Sequence, residues 1–160
     1  MAVTLESPAG TTSLPFTGGR PAPKPLRGAV RLLQSLGHGA LTEFPLKSGR
    51  RADILSLGLK GEIWIVEVKS GVPDFRSDRK WQDYLEWCDR FFFAVGPGFP
   101  THILPEDAGL LIADEYDAVL AREPGVTPLA GGRRKALTLR FAHLAARRLS
   151  GRPDDGMGAD

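Results

Sequence analysis

The order of helix-type and strand-type segments predicts an α/β domain in which a mixed sheet is flanked by helices. An amphipathic helix pattern comes first, and three segments of strand type follow it before the next helix pattern. A further strand, a pair of short strand segments and a long C-terminal helix pattern complete the order. The chain of 160 residues is long enough for one domain with a substantial core.

Composition and cysteine content limit the class of protein. Hydrophobic residues make up 42% and charged residues 25% of the chain, which are ordinary values for a folded globular domain. The single cysteine, Cys88, excludes an internal disulfide framework and is typical of a reducing compartment. Because the chain has no run of ~20 apolar residues and no secretory signal pattern, we expect a cytoplasmic protein without a membrane partner.

Both termini are predicted to be flexible tails. Residues 1–25 contain five prolines separated by glycines, serines and threonines, and such a segment cannot bury enough apolar surface to fold. Residues 150–160 have the same character. The folded domain is therefore expected between residues 26 and 149.

The first half of the domain is predicted to contain one helix and three strands. The helix runs from Leu26 to about His38, where apolar residues recur at helical spacing until glycines end the pattern. The first strand is expected at a sheet edge, because Pro45 cannot donate a hydrogen bond to a central ladder. The three strands are predicted at residues 40–46, 50–57 and 62–69.

The second half is predicted to contain a half-buried helix, three strands and a final amphipathic helix. The half-buried helix is expected at residues 77–90, where apolar side chains at i, i+3, i+4 and i+7 form one stripe: Trp81, Tyr84, Leu85 and Cys88. The other elements are expected at residues 91–95, 109–114, 118–123 and 133–149.

The hairpin between the second and third strands has a predictable register. In the segment "GLKG", residues 58–61, a three-residue loop closed by a glycine in the left-handed conformation makes Gly58 face Glu62. Antiparallel pairing then requires the numbers of paired residues to sum to 120, which places Asp53 opposite Glu67 and Arg51 opposite Lys69. A slip of one residue would send Asp53 to the opposite face of the sheet.

The predicted contact brings two carboxylates together inside apolar strands. Two acids at ~4.5–5.5 Å between Cβ atoms repel each other unless a divalent cation lies between them. The backbone carbonyl of Val68 can supply another oxygen ligand, and Lys69 can orient a water or stabilise negative charge. The structural alternative is a set of ion pairs, in which Lys69 neutralises Glu67 while Asp53 caps a turn or pairs with Arg51.

These residues resemble a known motif. Asp53 followed by Glu67-Val68-Lys69 after a short hairpin resembles the PD-(D/E)xK nuclease motif, although Ala52 replaces the proline that commonly precedes the aspartate. The resemblance implies a restriction-endonuclease-like fold with an αβββαβ core. The words "LTEFPLKSGRRADIL", "WIVEVKSGVPDFRSDRKWQDYLEWCDRFFFAV" and "LPEDAGLLIAD" are similar to the MmcB family of bacterial DNA-repair proteins over roughly residues 25–123.

Membership of that family would imply a Mg²⁺-dependent (or Mn²⁺-dependent) DNA endonuclease in the bacterial cytoplasm. Its metal ligands would be Asp53, Glu67 and Val68, its catalytic lysine would be Lys69, and Glu43 is a further acidic candidate whose alternative is an exposed edge-strand residue. Its DNA would be branched, gapped or single-stranded, its partners would include translesion-synthesis proteins, and, like many relatives of this fold, it would pair as a homodimer. The alternatives are a DNA-binding scaffold subunit that cuts poorly and a nuclease that acts on RNA.

Basic residues concentrate near the C-terminus and beside the predicted site. Residues 131–152 hold seven of the 21 basic residues and no acidic residue, so this segment can neutralise backbone phosphates without reading sequence. The alternative is a solvated helix face. The predicted nucleic-acid contacts are Arg50, Arg51, Lys80, Gln82, Arg133, Arg134 and Lys135.

Overall fold

The computed structural model describes residues 24–154, which form a six-stranded sheet with helices on both faces. The helices are α1 (Lys24–Ser35), α2 (Val72–Ser77) and α3 (Gly131–Leu149), with 3₁₀ helices at Trp81–Trp87 and Thr101–Ile103. The strands are β1 (Gly39–Pro45), β2 (Arg51–Leu57), β3 (Ile63–Lys69), β4 (Arg90–Val95), β5 (Gly109–Ala113) and β6 (Ala118–Arg122). The predicted α/β class and the order αβββαβ are confirmed.

The sheet is mixed and its strands lie in chain order from β1 to β6. β3, β4 and β5 run parallel to one another, whereas β1–β2, β2–β3 and β5–β6 are antiparallel pairs. The C-terminal ends of the parallel strands therefore meet at one end of the sheet, and the β2–β3 hairpin loop lies at the other end. The edge position predicted for β1 is confirmed.

Side chains on the two faces of the sheet form separate cores. On one face, Ile54, Val66 and Phe92 pack with residues of α1. On the other face, Ile65 and Phe93 belong to a larger cluster that includes α3 and the first 3₁₀ helix. Burial on both faces explains why β3 and β4 are almost uniformly apolar, and it makes a charged side chain in β3 costly.

The predicted hairpin register is confirmed. The pairs from Leu57–Ile63 to Ile54–Val66 all sum to 120. The Gly58 N–H donates to the Glu62 carbonyl (2.8 Å), and the Gly61 N–H donates to the Gly58 carbonyl (3.0 Å). Gly61 has φ +87°, the left-handed conformation that closes such a loop at the lowest cost for glycine.

The prediction of one continuous helix at residues 77–90 is wrong. A short α-helix, α2, begins earlier, with Pro73 in its first turn, and the extended backbone of Asp78 ends it. The chain then forms a 3₁₀ helix, whose three residues per turn align Trp81, Tyr84 and Trp87 against the core. Leu85, which an α-helical stripe would bury, is 42% exposed.

The boundaries of the domain differ slightly from the predicted ones. The helix α1 begins at Lys24, inside the segment predicted as a tail, and residues 1–23 and 155–160 lie outside the described residues. Residues 150–154 bond to the end of α3, where the Arg152 N–H donates to the Arg147 carbonyl (3.0 Å) and Arg148 pairs with Asp154 (2.8 Å). In residues 24–154, no helix combines the length and the apolar character that crossing a membrane requires.

A buried carboxylate, Asp89, ties α3 to the hairpin end of the sheet. It accepts hydrogen bonds from the backbone N–H groups of Ile63 (2.7 Å) and Leu129 (2.9 Å). Both of its oxygens also accept from the Arg134 guanidinium, at 2.6 and 2.7 Å, and that guanidinium donates further to the Gly61 carbonyl (2.8 Å). The hydrogen bonds hold the pKa of Asp89 below its ordinary value even though burial acts to raise it.

We expect Asp89→Ala to lower the free energy of unfolding by about 3–5 kcal/mol, because it leaves Arg134 and two backbone N–H groups without their acceptor. Urea unfolding followed by circular dichroism measures the change. The control is Glu86→Ala, which removes the exposed partner of Arg133 and should cost less than about 1 kcal/mol. Equal losses in the two variants would contradict the structural role of Asp89.

Candidate active site

At Asp53 and Glu67, which we call the acidic pair, side-chain hydrogen bonds replace the backbone pairing between β2 and β3. The ladder pairs end at Ile54 and Val66. Beyond them, the Asp53 N–H donates to Oε1 of Glu67 (3.0 Å), and the Val68 N–H donates to Oδ2 of Asp53 (2.8 Å). Each carboxylate is thus anchored by one oxygen to the backbone of the neighbouring strand, and its other oxygen accepts no hydrogen bond from residues 24–154.

Burial makes ionisation of the acidic pair unfavourable. Glu67 is 5% exposed, and burial, followed by repulsion from Asp53, raises its pKa to about 8. Burial likewise raises the pKa of Asp53 to about 6, although the Val68 N–H and the charge of Lys69 act in the opposite direction. The two carboxylates therefore resist carrying two negative charges at neutral pH in the absence of a cation.

Basic side chains near the acidic pair are engaged by other acids. Lys69, which is 6% exposed, places Nζ 2.7 Å from Oδ2 of Asp78. Arg51 pairs with Glu43 (3.1 Å) rather than with Asp53. Among the described residues, no cationic side chain forms an ion pair with either member of the acidic pair. The ion pairs expected under the structural alternative, Lys69 with Glu67 and Arg51 with Asp53, are therefore not formed.

The oxygen atoms around this gap suit a hard divalent cation. Because the N–H and C=O of one strand residue point to the same side, the Val68 carbonyl faces the gap that its N–H faces. Two carboxylates and a carbonyl fit Mg²⁺, which binds proteins through one or two carboxylates and keeps several waters. In the described part of the chain, no group of three or more His, Cys, Asp or Glu side chains is arranged to hold a metal.

The predicted acidic candidate Glu43 lies beside the acidic pair on β1. The β1–β2 pairs sum to 96, so Glu43 occupies the position opposite Asp53, and its charge raises the pKa of Asp53 further. Its φ of +53° is unusual for a residue other than glycine. Arg148 donates to the carbonyls of Thr42 (2.6 Å) and Glu43 (3.2 Å), which holds this bend in place. The Glu43 side chain itself pairs with Arg51.

Comparisons with known proteins show the family and the fold of the chain. A family model described as DNA repair protein MmcB-like matches residues 19–155. The chain belongs to the MmcB-like family of DNA repair proteins. The MmcB-like chain is also 48% identical to a protein of unknown function from Silicibacter pomeroyi, whose solved structure it matches with a TM-score of 0.78 over 87% of this chain and 96% of that chain. No curated protein matches it.

Four of the predicted nucleic-acid contacts lie on segments that carry or adjoin the acidic pair in this MmcB-like protein. Arg51 is the first residue of β2, two residues before Asp53, and Arg50 directly precedes the strand. Arg50 donates to Asp83 (3.0 Å) and lies over the Tyr84 ring, with 5.5 Å between Cζ and the ring centroid. The remaining two, Lys80 and Gln82, are exposed and follow the loop that carries Asp78.

The other three predicted contacts lie at the opposite end of the sheet. Arg134 is bound by Asp89 and the Gly61 carbonyl of the hairpin, which lie beyond the start of β3, and that strand alone separates them from Lys69 by roughly 20 Å. Arg133 lies over the Trp87 ring, 4.3 Å from its centroid, and donates to Glu86. Lys135 is exposed on the first turns of α3. The sequence cluster therefore does not form one continuous surface with the acidic pair.

Two residues near the acidic pair were not predicted from the sequence as site residues. Asp78 lies in the loop after α2, whereas the sequence pattern predicts a continuous helix at this position. Tyr84 donates its hydroxyl hydrogen to the Arg51 carbonyl (2.9 Å) and is buried beside the pair. Burial, with Glu67 as the next cause, raises the pKa of Tyr84 to about 12. The apolar spacing predicts Tyr84 only as a core residue of a helix, and no motif in the sequence marks either residue as part of the site.

The raised pKa values predict a pH-dependent loss of stability. In the folded state Asp53 keeps its proton up to about pH 6 and Glu67 up to about pH 8, whereas the unfolded carboxyls lose theirs near pH 4. The free energy of unfolding should therefore fall as pH rises from about 4 to about 8. Glu67→Gln cannot ionise and should be more stable than the wild type by about 1–2 kcal/mol at pH 8.

Urea unfolding between about pH 5 and pH 8, with a chelator present, measures this difference. The control is Glu106→Gln, which removes an exposed glutamate on the loop before β5 and should keep the wild-type slope. A Glu67→Gln protein with the wild-type pH dependence would show that the acidic pair is not strained in the folded state.

Proposed function

We propose that this MmcB-like protein is a metal-dependent DNA endonuclease that hydrolyses phosphodiester bonds in DNA repair or damage tolerance. The observation that supports it most is the acidic pair itself: two adjoining carboxylates, Glu67 buried and Asp53 half-buried, with raised pKa values and no ion-pair partner among residues 24–154. Two unpaired acids at one point of a core destabilise the protein, whereas a bound divalent cation would stabilise them.

The residues of this site have separate proposed roles. Asp53 and Glu67 would hold Mg²⁺ or Mn²⁺ through their free oxygens, together with the Val68 carbonyl. When bound, such an ion acidifies a water and neutralises charge on the scissile phosphate. Lys69 would donate hydrogen bonds to the attacking water and to the charge that develops on the phosphate. Glu43 stays a candidate for a further acidic contact.

Basic residues around the site would hold the DNA backbone. Arg50, Arg51 and Lys80 lie on the elements that carry or adjoin the acidic pair, and they can neutralise phosphates without contacting base edges. Binding would then be salt-sensitive and show little sequence preference. Translesion-synthesis partners and pairing of two copies stay predictions that rest on the family.

A DNA-binding scaffold subunit is the second candidate function. One observation favours it: the described residues offer two acidic side chains for a metal rather than three or more. Such a protein would bind DNA through its basic residues and leave the phosphodiester bonds intact. A nuclease that acts on RNA is an outcome of the same experiment.

The test is incubation of purified protein with single-stranded, nicked, branched and duplex DNA and with RNA, with and without Mg²⁺ or Mn²⁺. We expect metal-dependent cleavage of DNA. Asp53→Asn and Lys69→Met should each lower kcat by at least roughly 100-fold, because they remove a metal ligand and a charge-stabilising donor.

Matched controls distinguish the site from general effects of charge. Asp107→Asn removes an exposed carboxylate before β5, and Lys60→Met removes an exposed ammonium in the hairpin loop, and both should cleave like the wild type. DNA binding without cleavage under any metal condition would favour the scaffold. Cleavage that survives in Asp53→Asn would place the chemistry elsewhere.

A further inference from the structure

The partner of Lys69 is an acid from outside the motif. Nζ of Lys69 donates to Oδ2 of Asp78 at 2.7 Å, and their side chains are only 7% and 15% exposed. The charge of Lys69 is also close enough to lower the pKa of both members of the acidic pair. Lys69 therefore interacts with three carboxylates and forms its ion pair with the one that does not belong to the acidic pair.

Asp78 is itself held in place on both sides. Its Oδ1 accepts from the Lys80 N–H (3.0 Å), and its own N–H donates to the Phe75 carbonyl (3.2 Å). The Phe75 ring packs edge-on against Phe93 of β4, with ring centroids 5.6 Å apart, so α2 and its terminal loop are fixed to the core. Burial acts to raise the pKa of Asp78, but the Lys69 and Lys80 hydrogen bonds hold it below its ordinary value.

A lysine needs such an anchor at this position. Its four-carbon stem has many rotamers, and a free ammonium beside two buried carboxylates would pair with them directly. That pairing would occupy the oxygens that a cation needs and would turn Nζ away from the phosphate. The bond to Asp78 prevents this collapse and still leaves two of the three ammonium hydrogens for other acceptors.

We propose that Asp78 is the positioning residue that holds Lys69 beside the acidic pair and keeps it from closing onto the pair. This inference rests on the proposed nuclease function for its consequence in catalysis, whereas the arrangement itself can be tested without any activity. Asp78 would touch neither substrate nor metal, and it would act through Lys69.

The kinetic test is a double-mutant cycle between Asp78→Asn and Lys69→Met. The asparagine still accepts from the Lys80 N–H but carries no charge to hold Lys69. We expect Asp78→Asn to lower kcat by roughly 10- to 100-fold with unchanged DNA affinity, and to have no further effect in the Lys69→Met background. Asp78→Glu should recover part of the loss.

The matched control for this cycle is Asp114→Asn. Asp114 also accepts backbone N–H groups two and three residues ahead, but it lies in the β5–β6 turn. An equal loss of kcat for Asp78→Asn in the wild-type and Lys69→Met backgrounds would overturn the proposal, as would a wild-type rate in Asp78→Asn. In Asp78→Asn the buried ammonium of Lys69 loses its ion-pair partner, whereas the double variant has no such ammonium. A comparison of the melting temperatures of these two variants therefore separates a folding defect from a positioning defect.

A second measurement tests the position of Lys69 even if the wild-type protein cuts no nucleic acid. NMR of ¹⁵N-labelled lysine side chains, with Lys69→Met for assignment, reports exchange of the Lys69 ammonium with water. We expect a slowly exchanging signal in the wild type and in Asp114→Asn, and at least a tenfold faster exchange or a large shift in Asp78→Asn. A Lys69 signal that Asp78→Asn leaves unchanged would overturn the proposal whatever the activity.

Discussion

The separation of β2 and β3 at the acidic pair is the constraint on which the rest of this structure depends. Up to Ile54 and Val66 the strands form an ordinary antiparallel ladder, and beyond that point their side chains satisfy each other's backbone N–H groups. Where the two strands stop pairing inside the core, the carboxylates of Glu67 and Asp53 supply the acceptors that the backbone N–H groups of Asp53 and Val68 would otherwise lack. This arrangement also leaves one oxygen on each carboxylate without a hydrogen bond from residues 24–154. The same two side chains thus end the ladder and would supply the ligands of the proposed cation.

The register of that hairpin could be predicted because a local rule determines it. A three-residue loop with glycine at its left-handed position allows one pairing, and every later partner follows by counting. The neighbourhood of Lys69 could not be predicted in this way. Asp78 reaches it through a loop between two short helices, and the choice between one α-helix and a 3₁₀ helix depends on packing of Trp81 and Trp87, which the spacing of apolar residues does not resolve.

The density of basic residues along the sequence did not predict where their side chains lie relative to the acidic pair. Arg133 and Arg134 belong to the most basic segment of the chain, yet one contacts Trp87 and the other serves Asp89 at the hairpin end. Arg148, near the other end of the same helix, reaches the β1 carbonyls beside Glu43. A helix of 19 residues spans about 28 Å, so basic residues that are neighbours in composition serve opposite ends of the sheet.

The contact of Arg148 with Thr42 and Glu43 has a consequence for self-association. It covers part of the outer edge of β1 with a guanidinium, so another chain cannot add a strand there without displacing α3. Among the described strands, β6 is then the sheet edge left for strand addition between copies. An antiparallel contact between β6 of one copy and β6 of another would use the same edge of both molecules, so it would close after two copies.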